Sequence, residues 1–130
     1  MPAKKDVPSS PPTVMTSYML PDHANRRGKV FGGHLLSLID ISAAVCAMRF
    51  CGTFVVTGHI ETSFLKPVDV GDLVTFTATI ASVGTSSMVV ALEASAEALP
   101  KQDQRLVAKA KVTMIAVDEK GKSCAIQRKN

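Results

Sequence analysis

Residues 34–50 read HLLSLIDISAAVCAMRF, and no glycine or proline interrupts them. At 100° per residue, Leu35, Ile39, Ala43, Cys46 and Phe50 fall on one side of a helix, and Ile41, Val45 and Met48 on the other. Asp40 is the only acidic residue in the run. A helix that is apolar all round is a buried helix, because no face of it is suited to water. The spacing therefore predicts one long helix, entered through Gly32-Gly33, that the rest of the chain must wrap.

The rest of the chain alternates with period two, which is the pattern of strands with one dry face. Thr13–Leu20 reads as a first strand stopped by Pro21, followed by the polar loop PDHANRRGK. In 54–64, Phe54, Val56, Ile60 and Phe64 are expected on one face, and Thr57, His59, Glu61 and Ser63 on the other. In 74–80 the apolar face is Val74, Phe76, Ala78 and Ile80. In 86–94 it is Met88, Val90, Leu92 and Ala94, and in 106–116 it is Leu106, Ala108, Ala110, Val112, Met114 and Ala116. Turn residues separate these runs at 66–72, 83–87, 99–104 and 118–122. One dry helix and about five strands with a single dry face have one economical arrangement: an α+β fold in which a curved antiparallel sheet wraps the helix. The open edges of such a sheet invite a second copy of the chain.

At 130 residues the chain has room for one domain, which we expect over 13–121. Residues 1–12, with four prolines, read as a disordered tail, and 122–130 as a basic C-terminal tail. The net charge of +4 is too small to argue for nucleic acid, and six aromatic residues offer few rings for stacking on single strands. Three cysteines without a close CxxC pair argue against a disulfide framework and a thiolate metal site, and a reducing cytoplasm is the expected setting. No run is read as a membrane span or leader. P-loop, GxGxxG and GxSxG motifs are missing from the sequence.

Asp40 stands out because a mid-helix carboxylate in apolar surroundings is costly unless it is paired or working. Its stripe is Gly33, Ser37, Asp40, Ala44 and Ala47, small residues around one acid. Gly32 and Gly33 open the helix, where unpaired N–H groups suit an anion or a developing oxyanion. Asn25, in the preceding loop, carries an amide that would orient a water or donate to a carbonyl, or would simply form a turn. His23, His34 and His59 make no metal pattern. Arg26, Arg27 and Lys29 form a basic cluster beside the glycines. Lys66, Lys109, Lys111, Lys122, Arg128 and Lys129 are further candidates for phosphate, as is the GTSS turn at 84–87 with Ser86 and Ser87.

The segment PDHANRRGKVFGGHLLSLID resembles the signature of the hotdog-fold acyl-CoA thioester hydrolases, nearest to the YciA-like and cytosolic brain-type groups. The matching positions are Pro21, Asn25, Gly28, Gly32, Gly33 and Asp40. VVTGHIETSFLKPVDVGDLV, VGTSSMVV and VTMIAVDEKGKS continue the likeness, which spans roughly 13–128. The resemblance implies a hotdog fold and hydrolysis of acyl-CoA to coenzyme A and a carboxylic acid. It implies Asp40 as catalytic carboxylate, facing Asn25 of the other subunit of a homodimer, with Gly32 and Gly33 N–H groups on the thioester carbonyl oxygen. It implies no cofactor and no metal, since coenzyme A is part of substrate and product. It also implies assembly in some members as a trimer of dimers. Coenzyme A would lie at the subunit boundary, and Lys66, Ser86, Ser87 and Arg128 are the expected contacts to it. Two other readings stand beside hydrolysis. One is an enoyl-thioester hydratase using His34 or His59 with an acid. The other is a sensor that binds acyl-CoA without cleaving it.

Overall fold

The computed structural model describes residues 10–126. Within them, β1 (Thr13–Tyr18) leads through a 3-10 turn at Pro21–His23 to helix α1 (Gly32–Cys51). Strands β2 (Phe54–Phe64), β3 (Asp72–Val83), β4 (Ser87–Ala98) and β5 (Asp103–Val117) follow. The strands form one antiparallel sheet in the order β1-β3-β4-β5-β2, so β2 lies at an edge although it follows the helix directly.

Helix α1 packs its Leu35, Ile39, Ala43, Cys46 and Ala47 face on the sheet. It meets Val74, Phe76, Ala78, Val90, Leu92, Ala94, Val112 and Met114, all buried. Alanines on both sides of the contact let helix and sheet approach closely. The helix ends where Gly52 takes the left-handed conformation, φ 74°, and its N–H reaches the Met48 carbonyl. By length and composition the 20-residue helix is apolar enough to cross a membrane, which corrects the expectation that no run approaches that length. Its packing against the sheet supplies another reason for that composition.

Two expectations of side-chain direction do not hold. In β2 the pairing with β5 shifts between Thr57 and His59. Gly58 is the extra residue of a bulge, and one extra residue puts the side chains before it on the opposite alternation from those after it. Thr57 therefore points to the helix, while Phe54 and Val56 are exposed. In β5 a second shift pairs Ala94 with Ala108 but Ser95 with Leu106. Val107 enters the core in place of Leu106.

The helix is not wrapped on all sides by the described residues. Gly33, Ser37 and Ile41 are exposed, and Asp40, Ala44, Val45 and Met48 only half-buried. Phe31, Ile41, Phe54, Val56, Phe64 and Leu65 all remain in contact with water. They lie on or beside the unpaired β2 edge. That is more large apolar surface than an isolated domain of this size needs to show.

Beneath the loops, Asp72 is buried and accepts from Arg105 Nη2 at 2.6 Å and from the Asp69 N–H at 2.9 Å. Arg105 also donates to the Pro67 carbonyl. Removing the arginine strands a buried carboxylate, a loss of about 3 kcal/mol. Arg105→Met is expected to lower the urea midpoint accordingly at fixed protein concentration. Arg105→Met with Asp72→Asn is expected to lower it less than Arg105→Met alone.

Candidate active site

Loop 24–30 is a small hairpin. Ala24 bridges Val30, the Asn25 N–H donates to the Lys29 carbonyl, and Gly28 turns the chain at φ 77°. The Asn25 side-chain oxygen accepts from the Arg27 N–H at 2.8 Å and the Lys29 N–H at 3.2 Å. Two backbone donors identify that atom as the oxygen, so the outward group is the Nδ2 amide, a donor. The hairpin is tied to the turn before β3. The Val30 N–H donates to Val68, the Val70 N–H to Gly28, and Lys29 Nζ pairs with Asp69 Oδ1 at 2.6 Å.

The loop delivers the chain to a bare helix end. Phe31 supplies no side-chain cap, and its carbonyl accepts from the His34 and Leu35 N–H groups. Gly32 and Gly33 are exposed, and their N–H groups enter no hydrogen bond among the described residues. A Cβ on Gly33 would meet nothing within 4 Å, and one on Gly32 would make ordinary contact with the Phe64 ring at 3.6 Å. Crowding inside one chain therefore does not require glycine at either position.

Asp40 lies seven residues beyond Gly33, roughly 10 Å along the axis. Its Oδ1 accepts from Thr57 Oγ1 at 2.7 Å. Among the described residues no hydrogen bond engages the second carboxylate oxygen, and Asp40 is only half-buried. Sequence reasoning placed Thr57 on the outer face with His59. The signal that would have found it is Gly58, since an isolated glycine inside a strand pattern marks a bulge.

One chain does not assemble the remaining candidates. Among the described residues no hydrogen bond joins Asn25 to Asp40. Lys66 is exposed just past the end of β2. Ser86 ends the β3–β4 turn and Ser87 opens β4 level with Ile115, at the opposite end of the sheet from Lys66. Arg128 lies outside the described residues. Lys29 is engaged by Asp69. His59 is exposed on the outer face, and neither it nor His34 is hydrogen-bonded to a carboxylate among the described residues. His34 instead stacks on His23, with ring centroids 3.7 Å apart, and its Nε2 is enclosed without a hydrogen-bond partner. Burial first, and then the neighbouring His23, hold the His34 imidazole below its ordinary value of 6.5.

Residues 27–101 match the family described as Thioesterase superfamily. The chain is similar to the acyl-CoA thioester hydrolase YciA of Escherichia coli, with 34% identity over 117 residues, covering 87% of this chain and 89% of that protein. A solved acyl-CoA hydrolase from Staphylococcus aureus, in complex with butyryl coenzyme A, coenzyme A and coenzyme A disulfide, superimposes with a TM-score of 0.84 at 30% identity. The match covers 90% of this chain and 72% of that one. The hexameric thioesterase y2039 of Yersinia pestis gives 0.81 at 32% identity, covering 87% and 93%. The helix and its five-stranded sheet are thus the hotdog arrangement that the resemblance implied. Three further structures of the S. aureus hydrolase carry alanine in place of one asparagine, one aspartate and one threonine. Those three are spaced along that chain as Asn25, Asp40 and Thr57 are along this one.

The stacked histidines make one pH effect readable. The fold favours neutral His34, so the unfolded chain binds the proton first as pH falls. The neutral-ring contribution is complete above the ordinary value of 6.5 and is lost as pH drops below it. Between about pH 7.5 and 5.5, the thermal midpoint of the wild type is expected to fall further than that of His34→Asn.

Proposed function

Given that the chain belongs to the thioesterase superfamily, we propose that it hydrolyses acyl-CoA to coenzyme A and a carboxylic acid. The observation that carries this is the Thr57–Asp40 hydrogen bond, which holds a carboxylate on the open face of α1. The matching Asn–Asp–Thr spacing in the S. aureus hydrolase supports the same three residues. The bare helix end at Gly32 and Gly33 supports a site for the carbonyl oxygen.

Asp40 removes a proton from water as the water oxygen attacks the thioester carbonyl, or its carboxylate attacks directly and water cleaves the resulting anhydride. Either way the carbonyl oxygen becomes an oxyanion. Donors aimed at such an oxygen are worth about 3 kcal/mol each. The Gly32 and Gly33 N–H groups and the Asn25 amide are donors of this kind. In the general-base route, collapse of the intermediate expels the thiolate of coenzyme A, which takes the proton back from Asp40. A thiol with pKa about 8.5 leaves far more readily than an alcohol, so a sparse site suffices. Water and the thioester are the only reactants this chemistry needs. It suits the turnover of fatty acyl thioesters in the cytoplasm.

The minimal unit is a homodimer in which Asn25 of one subunit faces Asp40 of the other. The separation of the helix end from Asp40 supports this, as do the unpaired β2 edge and the exposed apolar residues beside it. The hexameric relatives support further assembly as a trimer of dimers.

Release of free thiol from acetyl-, butyryl- and palmitoyl-CoA tests the reading. No release at any chain length overturns it. Asp40→Asn is expected to lower kcat about 100-fold or more, and Thr57→Ala about tenfold. Mixing Asn25→Ala with Asp40→Ala subunits is expected to restore up to about a quarter of wild-type activity, because half of the mixed dimers' sites keep both residues. No recovery rejects the shared site.

A further inference from the structure

Beyond Asp40, the open face of α1 continues along one row of the helix, Asp40–Ala44–Met48, with side chains four residues apart. All three are half-buried, and the alanine leaves the middle of the row low. The row runs into a groove of about 500 Å³ at the far end of the helix, lined by Met48, Phe54, Val117 and Cys124 among others. Strand register gives the same direction. Thr57, which holds Asp40, is level with Met114, and Phe54 is level with Val117. Asp118 and Glu119 come next along the chain and also line the groove.

We propose that this groove receives the end of the substrate's acyl chain, with Met48 setting the length that fits. The inference rests on the thioesterase reading and adds to it a substrate class, medium-chain acyl thioesters. A thioester carbonyl at Asp40 has an apolar way to run over Ala44 toward Met48. From Asp40 to Met48 the helix rises about 12 Å, the extended length of about ten carbons joined by bonds of about 1.5 Å, so a decanoyl chain reaches the groove and a butyryl chain stops short of it. A chain that overruns the groove meets the exposed, charged residues Asp118 and Glu119 of its lining and takes water from them, which disfavours it.

Cys124 serves as a reporter at the far end, because it is half-buried while Cys46 and Cys51 are buried, and burial pushes the Cys46 thiol further up. In Asp40→Asn protein, decanoyl-CoA is expected to slow alkylation of Cys124 by iodoacetamide at least about tenfold, and butyryl-CoA and coenzyme A alone are expected not to. In otherwise wild-type protein, Met48→Trp is expected to lower the ratio of kcat/KM for decanoyl-CoA over butyryl-CoA at least about tenfold, and Met48→Ala to raise it for longer chains. Cys124 equally slow with and without ligand means that the second copy fills the groove, and the inference fails. Protection by coenzyme A alone, or an unchanged chain-length ratio in Met48→Trp, also overturns it while leaving hydrolysis intact. Absence of hydrolysis in the wild type overturns the thioesterase reading instead, and the alkylation experiment, which needs no turnover, still decides the occupant of the groove.

Discussion

The rest of the structure depends on a mismatch between helix and sheet. Helix α1 is apolar around nearly all of its circumference, and the five strands cover only part of it. The covered arc supplies the core. The uncovered arc holds Asp40 between Ser37, Ile41, Ala44 and Met48. A carboxylate on such a face costs free energy in proportion to how dry the face becomes. The hydroxyl of Thr57 offsets part of that cost while leaving one oxygen free for chemistry. The same surface that makes an isolated chain uncomfortable in water is thus where its reactive group sits.

The parts of the site differ in how they are held. Asp40 is fixed by the most rigid element of the fold and by a strand packed against it. Asn25 is fixed by backbone hydrogen bonds inside a short hairpin, which consume its oxygen and turn its amide outward. The helix end is defined by what is missing from it: no side-chain cap and no Cβ at two successive positions. Each device sets a geometry before any substrate arrives, which is the condition for electrostatic stabilisation to favour a transition state.

The helix was legible in the sequence because seventeen residues without glycine or proline allow few alternatives. The alternation of β3 and β4 was equally plain, and the residues it placed inside are buried. Periodicity failed in β2 and β5, each time at a bulge. An extra residue leaves composition unchanged and reverses direction, so a strict period-two reading continues past it on the wrong face. That is why Thr57 was missed and why Phe54 and Val56 were placed inside. The extent of the helix's cover was illegible for another reason. An apolar pattern reports that a face will be buried and is silent on whether the burying surface belongs to the same chain. Of the candidate phosphate contacts, Lys66 and the Ser86–Ser87 pair fall at opposite ends of one sheet.

The tie between the Asn25 hairpin and the turn before β3 reaches further than the ion pair that marks it. Lys29 and Asp69 are both about half exposed, so their attraction alone is worth less than about 1 kcal/mol. Asp69 also donates its N–H to Asp72, and Asp72 is held by Arg105 of β5. The hairpin, the turn and the last strand therefore form one hydrogen-bonded unit, and fluctuations of the hairpin carry the free energy of disturbing all three. A loop that would otherwise fray on its own opens only with part of the sheet, which gives a surface asparagine something of the steadiness of a core residue.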